Sequence, residues 1–109
     1  MARYIITGHY TQAAMQGMIA HPSDRAAATS AMISAAGGKQ EAFYLTTGDN
    51  DFLMIVQTDD MTMLLASLIA ASASGSSGGF KTVQAFTSAE FTEAQTAASA
   101  MAKAYKAPN

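Results

Sequence analysis

The stretch FYLTTGDNDFLMIVQT, residues 43–58, decides the fold. Its two apolar runs carry the β-branched and aromatic residues that strands favour. Between them stands Gly48-Asp49-Asn50-Asp51, a turn of residues that tolerate positive φ or bond their own backbone. The pattern predicts a β-hairpin with strands over 42–47 and 52–58. A helical pattern lies on either side of it, so the rest of the chain is arranged around this hairpin.

Before the hairpin, residues 3–10 predict a strand, and a helical pattern begins at Thr11. Pro22 interrupts this pattern, and we predict one helix with a kink or short break at that point. Ser23 is the expected cap of the second half. Gly37-Gly38 should end the helix, because glycine adopts the left-handed C′ conformation without penalty.

After the hairpin, Asp59-Asp60 predicts a helix start, since negative charge is favoured at a helix N-terminus. Apolar residues then recur at helical spacing, namely Met61, Leu64, Leu65, Leu68 and Ile69. A flexible loop is expected over 72–79 and a fourth strand over 80–86.

The last helix is predicted to begin at Ser88 by two independent signals. Thr87 and Glu90 have the spacing of a capping box, and Phe86 and Phe91 have that of a hydrophobic staple. The Ala-rich end, residues 98–109, is expected to fray.

The element order is β-α-β-β-α-β with an added C-terminal helix. It predicts a single α+β domain over residues 1–109, with the ferredoxin-like fold and a four-stranded antiparallel sheet under helices on one face. The opposite face of the sheet has no helices to cover it.

Period-two alternation divides the strand residues into two sets. One is almost entirely apolar and suits packing under the helices: Tyr4, Ile6, Gly8, Phe43, Leu45, Thr47, Phe52, Met54, Val56, Val83 and Ala85. The second mixes aliphatic with uncharged polar residues: Ile5, Thr7, His9, Tyr44, Thr46, Leu53, Ile55, Gln57, Thr82 and Gln84. An exposed sheet face normally carries Lys and Glu. We therefore expect this face to be covered by a second copy of the chain, in a homodimer or higher homo-oligomer, or to line a pocket.

Composition excludes several classes of function. Only 13% of the residues are charged, and the net charge is −2 with no basic cluster, which argues against nucleic-acid binding. No apolar run is long enough to span a bilayer, and the N-terminus lacks the features of a secretory signal. The absence of cysteine leaves no disulfide and no thiolate site. A cytoplasmic protein is the expectation.

Residues spread over 3–94 resemble the GYD-domain family of the dimeric α+β-barrel superfamily. The matching positions are Tyr4-Ile5, Tyr10-Thr11, Arg25, Gly37-Gly38-Lys39, Tyr44, Gly48, Asp51, Ala85-Phe86-Thr87 and Glu90-Phe91. One position departs from the family pattern: Asn50 stands where the naming motif has tyrosine. The resemblance implies a ferredoxin-like fold paired into a barrel, and no agreed activity. Its wider superfamily includes cofactor-free monooxygenases, isomerases, haem enzymes and ligand binders.

His9 and Tyr44 are the candidate catalytic residues, as an acid–base pair on the mixed face. The same face offers a candidate ligand-binding set: Thr7, His9, Tyr44, Thr46, Gln57, Thr82 and Gln84. Alternatively these groups satisfy one another between subunits.

Two charged residues have alternative interpretations. Asp51 is a possible catalytic carboxylate, but a turn residue that accepts backbone N–H groups is the favoured interpretation. Arg25 either binds a carboxylate or pairs with Asp24 or Glu41. His9 and His21 lack metal-ligand spacing, so no metal site is predicted.

The leading functional hypothesis is a homo-oligomeric small-molecule-binding module with no dedicated cofactor. The alternatives are a cofactor-independent monooxygenase or isomerase that uses His9 and Tyr44, and a structural assembly subunit. The ligand is not identified by the sequence.

Overall fold

The computed structural model describes residues 1–108. Its elements, in chain order, are β1 (Ala2–Tyr10), α1 (Gln12–Ala20), α2 (Arg25–Ala35), β2 (Lys39–Leu45), β3 (Phe52–Thr58), α3 (Met61–Ala73), β4 (Ser77–Ala85) and α4 (Ser88–Ala104). The strands form one antiparallel sheet in the order β2-β3-β1-β4. This confirms the predicted ferredoxin-like α+β fold with an added C-terminal helix.

The predicted hairpin is present, and β2 begins earlier than expected, at Lys39. Its turn is closed by the backbone N–H of Thr46, which donates to the Asp51 carbonyl at 2.8 Å. The Thr46 hydroxyl donates to the Asn50 carbonyl at 2.6 Å. Gly48 has a φ of +99°, a conformation that glycine adopts without strain.

The break at Pro22 separates two helices rather than kinking one. Asp24, not the predicted Ser23, caps α2, and its Oδ1 accepts the backbone N–H of Ala27 at 3.1 Å. The negative charge of a carboxylate is also stabilised by the dipole at the helix N-terminus, and the neutral hydroxyl of serine lacks this stabilisation. At the other end the prediction is confirmed: Gly37 has a φ of +81°, and Gly38 N–H donates to the Ile33 carbonyl.

The helix after the hairpin begins as predicted, with Asp60 as its cap. The loop expected over 72–79 is much shorter, because α3 continues to Ala73 and β4 begins at Ser77. The last helix also begins as predicted, at Ser88, with a complete capping box between Thr87 and Glu90. It continues to Ala104; fraying of the end stays a prediction, and Asn109 lies outside the described residues.

The core lies between the sheet and helices α2 and α3. Its buried members are Ile6, Ile33, Phe52, Met54, Val56 and Leu64. The predicted apolar stripe of α3 is divided: Leu64 is buried, whereas Leu65 and Ile69 are more than half exposed. Helices α1 and α4 contain no buried residue. None of the helices within residues 1–108 has the length and apolar character needed to cross a bilayer.

Candidate functional site

A cavity of about 240 Å³ opens between the sheet and helices α2 and α3. It lies where β1 ends and β4 begins, on the helix-bearing side of the sheet. Its volume greatly exceeds the roughly 10–15 Å³ needed for one water molecule. Its apolar wall is made of Phe43, Phe52, Phe80, Met32, Met54 and Leu68. Its polar groups come from Tyr10, Arg25, Thr29, Ser74, Ser76 and Ser77.

Phe52 is at the centre of the aromatic wall and is 4% exposed. Its ring centroid lies 5.2 Å from that of Tyr10, 6.0 Å from that of Phe43 and 6.2 Å from that of Phe80. These distances are within the range in which aromatic rings stabilise one another. Gly8 makes the arrangement possible, because a Cβ there would lie 2.7 Å from Cζ of Phe52. The cavity therefore has a tightly packed aromatic wall.

Arg25 is the first residue of α2, is partly buried and lines the cavity. Its NH1 donates to the Ser23 hydroxyl at 3.1 Å. The pairing with Asp24 or Glu41 weighed from the sequence is absent among residues 1–108, where Glu41 instead pairs with Arg3 at 2.8 Å. A guanidinium without a carboxylate partner at an apolar cavity is suited to bind an anion.

Tyr10 ends β1 and lines the cavity together with Arg25. Burial raises the pKa of the Tyr10 hydroxyl, and the Arg25 guanidinium opposes this rise only in part. The charge of Asp51 adds to the rise. The hydroxyl is therefore neutral at physiological pH and available as a hydrogen-bond donor.

A second cavity, of about 260 Å³, adjoins the first and shares Tyr10, Arg25 and Ser76 with it. Helix α1 and the segment that follows it supply the remaining wall: Ala14, Gly17, Met18, His21 and Ser23. A Cβ at Gly17 would meet nothing within 4 Å, so no neighbouring group within residues 1–108 requires glycine there. Arg25 and Tyr10 thus stand between two cavities.

The helix-free face of the sheet carries a continuous apolar row. Ile5 pairs with both Ile55 and Val83, and Ile55 pairs with Ala42. Residues opposite each other in antiparallel strands point to the same side of the sheet. The row therefore crosses all four strands.

The predicted side for β4 is wrong. Thr82 pairs with the buried Ile6, and Gln84 pairs with Tyr4, so both lie on the helix-bearing side. Val83 and Ala85, expected under the helices, lie on the helix-free side instead. Val83 of this edge strand completes the apolar row, and Thr82 and Gln84 are left exposed at a poorly covered edge.

The helix-free face is also charged, contrary to the prediction that it holds only neutral polar groups. Arg3 lies there opposite Gln57, and both donate to the carboxylate of Glu41. The Gln57 amide, and after it Arg3, hold the pKa of Glu41 below its ordinary value. Lys81, opposite Thr7, adds a second cation. A β-bulge beside Glu41 makes the strand phase there difficult to predict.

His9 and Tyr44, the predicted acid–base pair, lie on β1 and β2, which are separated by β3. Two strand spacings amount to about 10 Å, too far for direct proton transfer within one chain. Neither residue lines either of the two cavities. His9 is exposed and lies over Gly79, where a Cβ would be 2.7 Å from its Cδ2.

The remaining predicted ligand residues are dispersed. Thr7, Leu53 and Tyr44 form one row of the helix-free face, beside the apolar row. Thr46 is used by the hairpin turn, and Gln57 by Glu41. A role of this set in ligand binding stays a prediction, and the structure does not gather it into one site.

Sequence reasoning missed the aromatic wall of the first cavity. The sequence places Phe43 and Phe52 correctly under the helices, where Phe52 belongs to the core and Phe43 packs against it, but it does not show that both also border a cavity. The sequence feature that could have indicated this cavity is the combination of Arg25 at the start of a helix and Tyr10 at the end of a strand. No group of three or more His, Asp or Glu side chains within residues 1–108 is arranged to hold a metal ion.

Comparison with solved structures supports the fold. The crystal structure of TTHA0845 from Thermus thermophilus is similar with a TM-score of 0.51 and 17% identity, over 81% of this chain and 96% of that one. FFRP-DM1 is 16% identical over 79% of this chain and 100% of that one, with a TM-score of 0.45. No curated protein matches. The model of the GYD domain matches residues 4–95, and the chain therefore belongs to the GYD-domain family.

Proposed function

We propose that the protein is a homo-oligomeric small-molecule-binding module whose ligand is a small carboxylic acid with an aromatic or other apolar body. The observation that carries this proposal is the Arg25 guanidinium, which lacks a carboxylate partner within residues 1–108 and borders an aromatic cavity. Ligand sites in proteins are typically apolar concavities with a few polar groups that fix orientation. The first cavity has this composition.

The chemistry of the wall indicates how such a ligand would be oriented. Its apolar body would lie against Phe43, Phe52 and Phe80, and its carboxylate would accept charge-assisted hydrogen bonds from Arg25. The neutral Tyr10 hydroxyl supplies one more donor. Hydrogen bonds to charged groups contribute about 1.5–3 kcal/mol, so Arg25 should decide between an acid and its neutral analogue.

Self-association is supported by the area that the chain exposes. Its accessible surface is 7331 Å². A compact monomer of 11.3 kDa is expected to expose about 5,700 Å², roughly 1,600 Å² less. A standard interface covers about 800 Å² on each partner, so the surplus is large enough for a stable homo-oligomer. The apolar row of Ala42, Ile55, Ile5 and Val83 is the proposed contact on the helix-free face.

The ligand proposal is tested by calorimetry with benzoate and benzamide, which share a ring and differ in charge. Benzoate should bind and benzamide should bind at least about tenfold more weakly. Arg25→Gln should weaken benzoate binding by about 10- to 100-fold. Lys39→Gln removes an equal charge from an exposed site outside both cavities and should leave the affinity unchanged. Equal affinities for the two probes would contradict the proposal.

The contact proposal is tested by sedimentation of a second pair of variants. Val83→Lys places a charge in the apolar row and should weaken association. Thr82→Lys places the same charge on the opposite side of the same strand and should not. A protein that is monomeric at micromolar concentration before any substitution would refute self-association.

A further inference from the structure

Every residue of helix α4 is exposed. None of its 17 residues is buried, and Phe91 and Met101 are 62% and 68% exposed. Just beyond its ends, Phe86 is 62% and Tyr105 is 71% exposed. The chain extends over 61 Å with a radius of gyration of 17.9 Å, against about 13 Å for a compact domain of this length. Within residues 1–108, the rest of the domain buries no residue of helix α4.

The sequence nonetheless specifies this helix strongly. The capping box between Thr87 and Glu90 satisfies its first N–H groups, and alanine is the best helix former. Most helical stability in proteins comes from tertiary packing of an apolar face rather than from helix propensity. A well-specified helix that packs its apolar face on nothing within residues 1–108 is therefore incomplete.

One side of α4 is suited to packing. An apolar stripe, defined by Phe91, Ala94, Ala98 and Met101, repeats at i, i+3, i+7 and i+10, the spacing of a helix-packing seam. The opposite side carries Thr92, Thr96, Ser99 and Lys103. The two central alanines permit a close approach of another backbone, while the two large residues mark the ends of the contact. The amphipathic division predicts one covered side and one wet side.

We propose that α4 is an exchanged arm, whose apolar stripe packs on a second copy of this chain. The proposal rests on the self-association part of the proposed function and is independent of the ligand. A two-fold pair would cover both arms by one symmetric arrangement, since every copy supplies one arm and one acceptor. The surplus of roughly 1,600 Å² per chain is about twice what a standard interface covers on each partner, so the sheet face alone does not account for it.

The acceptor requirement also favours a second copy. The body of the chain has apolar groups of its own that are left uncovered within residues 1–108, including Leu65 at 56% and Ile69 at 59% exposure on α3. The apolar row of the helix-free face adds further uncovered surface. Each chain thus carries both the arm and a surface that can accept an arm. Two copies of the chain can therefore cover both arms without any other protein.

The test compares two double variants of the full chain. Phe91→Gln with Met101→Gln removes the apolar stripe without changing the charge, and Thr96→Gln with Ser99→Gln is the matched change on the wet side. Sedimentation equilibrium should show that the stripe variant raises the dimer dissociation constant at least about 100-fold, because large anchors at an interface contribute the most. The wet-side variant should leave it unchanged. An unchanged dimer dissociation constant in the stripe variant would overturn the proposal that α4 packs on a second copy.

Hydrogen exchange supplies a second readout that does not depend on the variants. The amides of residues 91–104 should be protected in concentrated protein and lose this protection on dilution, together with the dimer. Fast exchange of these amides in the dimer, or protection that persists in the monomer, would each overturn the proposal. If benzoate does not bind but sedimentation and hydrogen exchange give the expected results, only the proposal of a carboxylic acid ligand is rejected.

Discussion

The carboxylate of Asp51 accepts the backbone N–H of Tyr10 at 2.8 Å and so ties the hairpin turn to the end of β1. The backbone N–H of Asp51 donates to the Gly8 carbonyl, also at 2.8 Å. The sequence-based preference for a residue that accepts backbone N–H groups is thus confirmed, although the donor is distant in the chain rather than within the turn. One aspartate fixes the strand end that carries the cavity tyrosine.

Asp51→Ala is therefore expected to lower the free energy of unfolding by about 1–3 kcal/mol, because it leaves a partly buried N–H group without its acceptor. Urea denaturation measures this. Asp49→Ala, in the same turn but exposed, should change the stability by no more than about 0.5 kcal/mol. A similar loss in both variants would show that turn charge, and not the Tyr10 contact, is responsible.

The raised pKa of Tyr10 has a consequence at alkaline pH. The folded chain holds the Tyr10 proton more tightly than the unfolded chain, whose tyrosines have a pKa near 10.0. The free energy of unfolding should therefore fall as the pH rises from that value towards the raised pKa, while the stabilisation from this group is fully present below it.

Tyr10→Phe keeps the ring and removes the titrating hydroxyl, so the alkaline decline should be shallower in that variant. Chemical denaturation at several pH values above neutrality provides the comparison, with lysine titration common to both proteins. Parallel declines would refute the assignment of this pH dependence to Tyr10.

Two glycines should respond in opposite directions to the same added methyl group. Gly8→Ala is expected to cost about 1–3 kcal/mol, since its Cβ would press on the Phe52 ring and on Phe80. Gly17→Ala should stabilise the chain by about 0.5–1 kcal/mol, because a helix interior favours alanine and the Cβ would meet open space. Thermal unfolding of the two variants tests both signs. Destabilisation by Gly17→Ala would indicate that a group from another copy approaches α1.

The cap of α4 is expected to weaken in acid. Hydrogen bonds from the Thr87 backbone N–H and then its side chain hold the pKa of Glu90 below its ordinary value of 4.5. A lowered pKa means that the cap is complete above that value and is lost as the pH falls through the lowered pKa. Amide chemical shifts of residues 88–91 should follow this titration.

Glu90→Gln should abolish that pH response, while Glu93→Gln, which lies outside the capping box, should preserve it. If Glu93→Gln also removed the pH response, the amide shifts would depend on the total charge near the start of α4 and not on the Glu90 hydrogen bonds.

Local signals account for what the sequence predicted well. The hairpin is specified by Gly48 and its neighbours, and the start of α4 by Thr87 and Glu90, all within a few residues of the structure that they determine. The end of α2 and the start of α3 follow the same logic. Such features depend on backbone chemistry that is readable without knowing the fold.

Strand phase required information that is not local. Residues of β4 alternate between apolar and polar side chains, and either set could have faced the helices. The extra residue of β4 lies between the pairs Thr7–Lys81 and His9–Gly78, and residues 81–85 pair with β1 without interruption. The side that each of these residues faces is set by this pairing with a distant strand. Alternation by itself therefore placed Thr82 and Gln84 on the wrong side.

The cavity was harder still to foresee. Phe43, Phe52 and Phe80 come from three strands, and they meet only because strand pairing and Gly8 allow one ring to cross beneath β1. Arg25 is available to a ligand because neither Asp24 nor Glu41 forms an ion pair with it within residues 1–108. Only the three-dimensional arrangement shows that Glu41 is engaged by Arg3 instead.

The strand order also bears on fibre formation. β2 and β4 are the two edge strands of the sheet, and within residues 1–108 each has a neighbouring strand on one side only. Lys39 and Lys81 are exposed on these borders, and the extra residue of β4 distorts its outline. Charges and irregularities of this kind discourage strand-by-strand stacking into amyloid-like polymers, so a chain with so little charge overall is protected where open-ended growth would begin.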